Sequence, residues 1–445
     1  MGFLKTKRLL AGTPLIGHIS MPLYRNGYAL ILSSVATSVL GLMYWVLAAR
    51  YYSTDVVGLN SAILSAMLFL SVVAQLNLGG MLVRFVPLAG PVSPRLIGYT
   101  YVASCIASVV ISLVFLVGLG IWSPTLRVLT QDAGRIVWFV FGTVTWSIFS
   151  LQDSALTALR EAVWVPVENA LFGVVKIILL ILLAGTLTQY GIFASWTIPV
   201  AISLIPINFF IFQRFIPKHI RGTGDRAVPI IPRQLYKYVS GNYLGSIFFQ
   251  ASTTLLPVIV IDRLGATMNA YFYLPWTITT SLQLVALNMA TSFTVEAARD
   301  HKNLSRYGSR VLIHNLRMLV PLVLIIGIGA PYILGIFGAN YAAAGTDMLR
   351  LLALSVIPYS FVALYVGLAR VQNQVHRIVV VQGVRCALLL LGCYWLLPIL
   401  GITGIGWVWL VTETLVGGFL FLTQLRPLFF KPRVVNGEET EWSVT

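Results

Sequence analysis

Five charged side chains interrupt stretches that are otherwise apolar: Asp153, Glu168, Lys176, Arg385 and Glu413. A charge held at the depth of a bilayer is costly, so such residues face a bundle interior or a water-filled cavity, or pair with one another. A basic group facing a cavity attracts an anion, and an isolated carboxylate binds a cation or a proton. Lys176 lies near the middle of its apolar run and has the furthest to reach if it is to snorkel to an interface, so a cavity role is expected. Arg385 and Glu413 sit on neighbouring segments, where either a structural ion pair or two separate functional groups would fit. Asp153 and Glu168 flank the short basic turn at Arg160, where they would cap, snorkel, pair with Arg160 or Arg84, or line a cavity mouth. Glu168 and Lys176 are eight residues apart, about 12 Å along a helix, so they share a broad face without touching.

Uncharged polar residues extend the pattern. Asn60, Ser61, Ser65, Ser71, Gln75 and Asn77 precede Arg84 on one segment, Gln250, Ser252, Thr253 and Thr254 occur on a second, and Gln283 and Asn288 on a third. Each could serve interhelical hydrogen bonding. Together they predict a polar cavity lined by Asn60, Gln75, Gln250 and Gln283.

The elements that must position these groups follow from composition. Of 445 residues 58% are hydrophobic and only 10% charged, with a mean hydropathy of +0.87. Apolar runs of about 20 residues recur from end to end, each long enough to cross a hydrocarbon core of about 30 Å as a helix. They lack the alternation of barrel strands, which predicts an all-α polytopic membrane protein. Twelve spans are expected, at roughly 27–49, 57–82, 98–121, 136–157, 163–185, 191–213, 240–261, 268–294, 316–338, 347–369, 378–399 and 402–425.

Twenty-three of the 30 Lys and Arg residues fall on one side of this arrangement. The excess of basic residues marks that side as cytoplasmic, so both termini are expected there, with the net charge of +16 directed at anionic membrane lipids and not at nucleic acid. The division predicts a cytoplasmic segment 1–26, an N-lobe 27–213, a basic linker 214–239, a C-lobe 240–425 and a tail 426–445. NGYALIL (26–32) and GNYLGSI (241–247) open the two sets of six spans, and Arg50 and Arg263 end their first spans. The offsets are similar, as parallel repeats of a transporter would give, with a substrate site between the halves.

Catalytic chemistry finds little support. The chain has no GxxxxGK[ST] phosphate loop, no HExxH and no Cys/His cluster, and Cys105, Cys386 and Cys393 lie within apolar runs. The outer loops are short, which disfavours a membrane-embedded glycan polymerase or ligase. No cofactor is expected. A transporter fits better, and a non-transporting scaffold of a glycan-assembly complex is a further alternative.

Several segments carry a resemblance. LAARYYSTDVVGLNSA (47–62), LNLGGMLVRFVP (76–87), IFGANYAAAGTDMLRLLALS (336–355) and DSALTALREAVWVPVENALFGVVK (153–176) together resemble polysaccharide flippases of the multidrug/oligosaccharidyl-lipid/polysaccharide exporter superfamily. The likeness is spread over nearly the whole chain and rests on no single diagnostic motif. It implies twelve helices in two six-helix lobes around a V-shaped cavity. The implied function is alternating-access export of polyprenyl-diphosphate-linked oligosaccharide across a bacterial inner membrane, with glycan-assembly enzymes as neighbours. Basic cavity residues would suit the diphosphate, and Lys176, Arg385 and Arg84 are the positions for that role, with Arg25 at the cytoplasmic mouth. Glu168, Glu413 and Asp153 are the candidates for coupling to an ion. A drug/cation antiporter of the same superfamily is the alternative, and would favour an acidic cavity.

Overall fold

Helix α1 runs from Pro22 to Tyr51, and two residues later α2 (Thr54–Ala74) turns back alongside the bundle. Connections this short place neighbouring helices antiparallel. The computed structural model describes residues 22–223, 232–299 and 304–427. After α2 come α3 (Leu78–Ala89), α4 (Ser93–Trp122), α5 (Ala133–Ala158), α6 (Trp164–Leu183), α7 (Gly191–Phe210) and α8 (Ile216–Thr223). The second half holds α9 (Pro232–Thr254), α10 (Leu256–Leu264), α11 (Ala266–Arg299), α12 (Leu304–Gly335), α13 (Ala339–Val371), α14 (Val375–Leu400) and α15 (Thr403–Leu420). Residues 1–21 of the N-terminal segment, 224–231 of the basic linker and 428–445 of the tail lie outside the described residues.

Among the described residues, ten helical stretches are long and apolar enough to cross a membrane; α1 and α11, of 30 and 34 residues, pack beside them. The outward surface is apolar to an extent that water would not tolerate: Val117 is 88% exposed, Ile121 86% and Tyr332 81%. A continuous surface of this kind is what contact with lipid selects.

Three expected spans depart from a single straight helix. The run at 57–82 breaks at Gln75–Asn77, where Leu76 and Asn77 adopt φ of 50° and 57°. Asn tolerates this left-handed geometry, and Gly79 and Gly80, poor helix formers, follow immediately. The chain resumes as α3, so Arg84 sits mid-helix and not at the end of a span. The seventh span bends between α9 and α10 just before Pro257, whose missing N–H cannot bond back into the preceding turn. The sixth continues past 213 through a π-helical turn at Ile211–Phe215 into α8.

Packing sorts the helices into two groups. α1 packs on α6, α5 on α4, α3 and α7, and α6 on α7; α13 packs on α11, α12 and α15, and α14 on α9 and α15. α2 crosses between the groups, touching α5 and α4 on one side and α11, α10 and α9 on the other. Its contact with α11 is very close, because a Cβ at Gly58 would fall on the Ala266 carbonyl. Gly417 allows the same intimacy between α15 and the Pro358 carbonyl of α13. Small residues at such crossings let backbones meet where no hydrophobic force drives helices together in lipid.

Candidate substrate cavity

The two groups of helices meet most firmly at one end. There Asn269 Nδ2 donates to the Gly58 carbonyl at 2.7 Å and to Ser61 Oγ at 3.1 Å. Thr267 donates to Asp55, and Arg50 Nη2 donates to the Ile336 carbonyl at 3.0 Å. These bonds fasten the ends of α1, α2, α11 and α12.

Away from that end the helices part around a cavity with three compartments in sequence. The first, of about 410 Å³, is lined by Trp45, Ser65, Lys176, Trp196, Gln250, Tyr273, Trp276 and Gln283 among others. The second, of about 430 Å³, shares Phe249, Gln250 and Leu287 with it and reaches Thr291, Thr294, Arg370 and Gln382. The third, of about 180 Å³, shares Val72, Asn77 and Ser246 with the second and is floored by the broken segment at Gln75 and Asn77. Backbone freed from helical bonding at this depth is tolerated where it lines a cavity, and here Tyr243 Oη donates to the Val73 carbonyl at 2.5 Å.

Lys176 is the charged group of the first compartment. It is 94% buried, yet no carboxylate lies within ion-pair distance of it among the described residues. Aromatic rings stand in place of a counter-ion: its Nζ is 3.9 Å from the Trp196 ring centroid, 4.8 Å from Tyr44 and 4.9 Å from Phe172. Each ring has a local reason to be there. Phe172 lies one helical turn before Lys176, on the same face. Tyr44 of α1 is held by its hydroxyl, which donates to the Ile192 carbonyl (3.0 Å) and lies in hydrogen-bond contact with Ser195 Oγ (2.8 Å). Trp196 follows on α7, one residue beyond Ser195, and meets Tyr44 edge to face at 5.5 Å. A desolvated cation over rings gains about 2 kcal/mol or more, against several kcal/mol lost on removing it from water. The rings offset part of that cost and leave the positive charge available to an incoming anion.

Arg385 is built differently. It is fully buried on α14, and its Nε donates to Glu413 Oε1 of α15 at 2.6 Å. Nη1 reaches Ser252 Oγ at 3.4 Å and Gln382 Oε1 at 3.5 Å, and the Tyr359 and Trp409 rings lie 5.1 and 5.6 Å away. Of the two readings open in the sequence, the structure selects the ion pair. Gln382, Phe249 and Tyr359 line the second compartment, so Arg385 stands one layer behind its wall.

The remaining expected residues scatter. Asn60 is pinned on three sides, donating to the Val56 and Gln189 carbonyls and accepting from the Phe193 amide, and it ties α2 to the start of α7 away from the cavity lining. Gln75 lines the third compartment and accepts from Ser150 Oγ at 3.3 Å. Gln250 and Gln283 both line the first. Arg84 is exposed on α3 beside Phe85 and engages a partner of its own, apart from the three compartments. The Arg25 side chain lies outside the described residues.

Neither Asp153 nor Glu168 lines the central cavity. Asp153 Oδ2 accepts from Asn169 Nδ2 at 3.4 Å. Glu168 is buried with both carboxylate oxygens lacking partners among the described residues, and it lines a separate, mainly apolar groove of about 290 Å³ between α6 and α7. Glu413 is accounted for by Arg385.

Two sets of residues escaped the sequence reading. One is the aromatic cage, whose members come from three helices and carry no joint signal. The other is Arg370, which charge counting placed in a loop and which lines the second compartment. The spacing of Thr277, Thr280 and Ser281 marks one face of α11 in the sequence, but not that this face meets the cavity.

No protein-family model matches the chain, and no curated protein matches it by sequence. Solved structures do. An inward-facing multidrug resistance MATE family transporter of the MOP superfamily superposes with a TM-score of 0.67 at 14% identity, covering 87% of this chain and 93% of that one. The lipid II flippase MurJ in an inward closed conformation gives 0.67 at 12% identity, covering 88% and 87%. A MOP superfamily transporter from Pyrococcus furiosus, described as having a binding pocket of reverse polarity, gives 0.57 at 14% identity over 92% and 94%. These neighbours are transporters and a flippase, matched over most of the length of both chains. The chain is therefore an all-helical polytopic membrane protein with the fold of the MOP superfamily.

Proposed function

We propose that the protein is an exporter of the flippase type, moving a polyprenyl-diphosphate-linked oligosaccharide across a bacterial inner membrane by alternating access. One observation carries this reading. Among the described residues, the charged side chains lining the three compartments are Lys176 and Arg370, with no carboxylate. A cavity of that sign draws in an anionic headgroup, while the polyprenyl chain stays in lipid. It disfavours the drug/cation antiporter, whose cargo would meet a buried ammonium.

In this reading the lobes are 27–213 and 240–425, joined by the basic linker 214–239, with both termini cytoplasmic. The bonds linking Arg50 to Ile336 and Asn269 to Gly58 then close the outer end, and the cavity faces inward. Rocking of the lobes breaks those bonds and reopens the cavity outside. Glu168, buried, and the partly buried Asp153, both outside the three compartments, are the candidates for coupling that motion to a cation or proton. Anionic headgroups meet the basic inner surface, and glycan-assembly enzymes supply the cargo.

The test is flipping in proteoliposomes of a fluorescent polyprenyl-diphosphate oligosaccharide, read by a membrane-impermeant quencher. Lys176→Met is expected to slow flipping at least about tenfold, the order expected from losing one charge-assisted contact. Undiminished flipping by the Lys176→Met, Arg370→Gln double variant would sink the proposal.

A further inference from the structure

The lining that continues from Lys176 along the cavity has a polarity of its own. On α11, Thr277, Thr280, Ser281, Thr291 and Thr294 fall at helical spacing and line the first and second compartments; Thr253 and Thr254 of α9 join them in the first. Every one of these hydroxyls is hydrogen-bonded to a carbonyl of its own helix. Thr277 reaches the Tyr273 carbonyl at 2.9 Å, and Thr280 and Ser281 both reach that of Thr277 at 3.0 Å. Thr291 bonds to Leu287 at 2.9 Å and Thr294 to Ala290 at 2.8 Å. Thr253 and Thr254 bond to Gln250 at 2.9 and 2.7 Å.

A carbonyl oxygen only accepts, so the hydroxyl hydrogen must lie in each of these bonds. A hydroxyl owns one hydrogen and two lone pairs, and bonding back into the helix leaves only lone pairs for the cavity. Seven side chains thus offer acceptors and no donors. Lys176 is the reverse, with three N–H donors and no acceptor. Gln250 and Gln283 stand between the two, since an amide both donates and accepts.

We propose that this hydroxyl stripe is the specificity wall of the cavity, selecting headgroups that bring hydrogen-bond donors, sugar O–H or N–H groups, beside the phosphate held by Lys176. The inference rests on the export reading above and refines it. A bare polyprenyl diphosphate engages only the Lys176 side. A sugar whose hydroxyls are alkylated loses its O–H donors and keeps only any amide N–H, and one presenting a carboxylate to the stripe sets acceptor against acceptor.

The experiment measures binding to the full-length protein in nanodiscs of two probes: a short-chain polyprenyl diphosphate bearing N-acetylglucosamine, and the same diphosphate without sugar. The Thr277→Val, Thr280→Val, Ser281→Ala triple variant keeps the side-chain shapes. It is expected to bind the sugar-bearing probe about tenfold or more weakly, as loss of two or three hydrogen bonds predicts, with the sugar-free probe unchanged. Lys176→Met is expected to lose both. A third probe, O-methylated on every sugar hydroxyl, is expected to bind wild-type protein about tenfold more weakly than its parent, and needs no variant to fold. If the triple variant and the methylated probe both bind like their parents while Lys176→Met loses affinity, the specificity wall is wrong and the anion-binding cavity stands. If Lys176→Met binds both probes normally, the export reading itself falls.

Discussion

Among the described residues each half of this molecule buries one basic side chain deep in its helices, Lys176 and Arg385, and the two are handled in opposite ways. Arg385 in the second half is met by Glu413 at 2.6 Å and sealed from the cavity. Lys176 in the first half has aromatic rings around it and a cavity before it. The contrast follows from the chemistry of the groups. A guanidinium has a fork of donors that a carboxylate and its neighbours can hold in place, while an ammonium is a compact charge on a flexible stem. A neutralised charge joins helices. One that is left without a counter-ion, as at Lys176, still carries the attraction for an anion that a carboxylate would have used up. Burial alone does not separate the two residues; the counter-ion does.

The comparison is most easily broken through Glu413. Glu413→Ala leaves the guanidinium buried without its partner and is expected to cost about 3–5 kcal/mol, seen as a large fall in the thermal midpoint in detergent. Replacing both members with Met should restore most of that stability. If Glu413→Ala melts like wild type, Arg385 is not the structural member of the contrast. Lys176→Met should do the reverse, lowering transport about tenfold or more with the thermal midpoint unchanged or raised, because a desolvated charge has been removed.

Trp196→Leu probes the cage. With the nearest ring gone, Lys176 loses a contact of about 0.5–2 kcal/mol, so both stability and headgroup affinity should fall by less than in the preceding cases; full activity together with full stability would show that the ring does not hold the ammonium. Arg84→Gln is the control at the low end. An exposed side chain away from the cavity should change flipping by no more than about twofold, and a loss comparable to that of Lys176→Met would return Arg84 to the substrate path.

Much of the helical framework was legible. The apolar runs located nearly every helix, and Pro257 and the Asn77-Gly79-Gly80 region carried the signals for two of the bends. The ends were less so: α11 runs to Arg299 and the sixth span runs through to Thr223, because backbone hydrogen bonding carries a helix beyond the apolar run that reveals it. Lys176, Gln250 and Gln283 line the first compartment, a placement the sequence suggested because polar groups in apolar runs must face something other than lipid. Asn60 looked the same on paper and was misleading: its three bonds are to backbone atoms of Val56, Gln189 and Phe193, and backbone partners leave no mark in a sequence.

Hydrophobicity and the distribution of basic residues determined, by themselves, that this chain crosses a membrane many times as helices and carries charge within them. Those properties depend on the transfer of each side chain between water and lipid, which is local. Which basic residue would be neutralised, which rings would gather round the other, and which hydroxyls would face the cavity were decided only by the tertiary structure. Such pairings depend on how α1, α6 and α7, or α9, α14 and α15, rotate and cross against one another. A helical period fixes a face but not its neighbour.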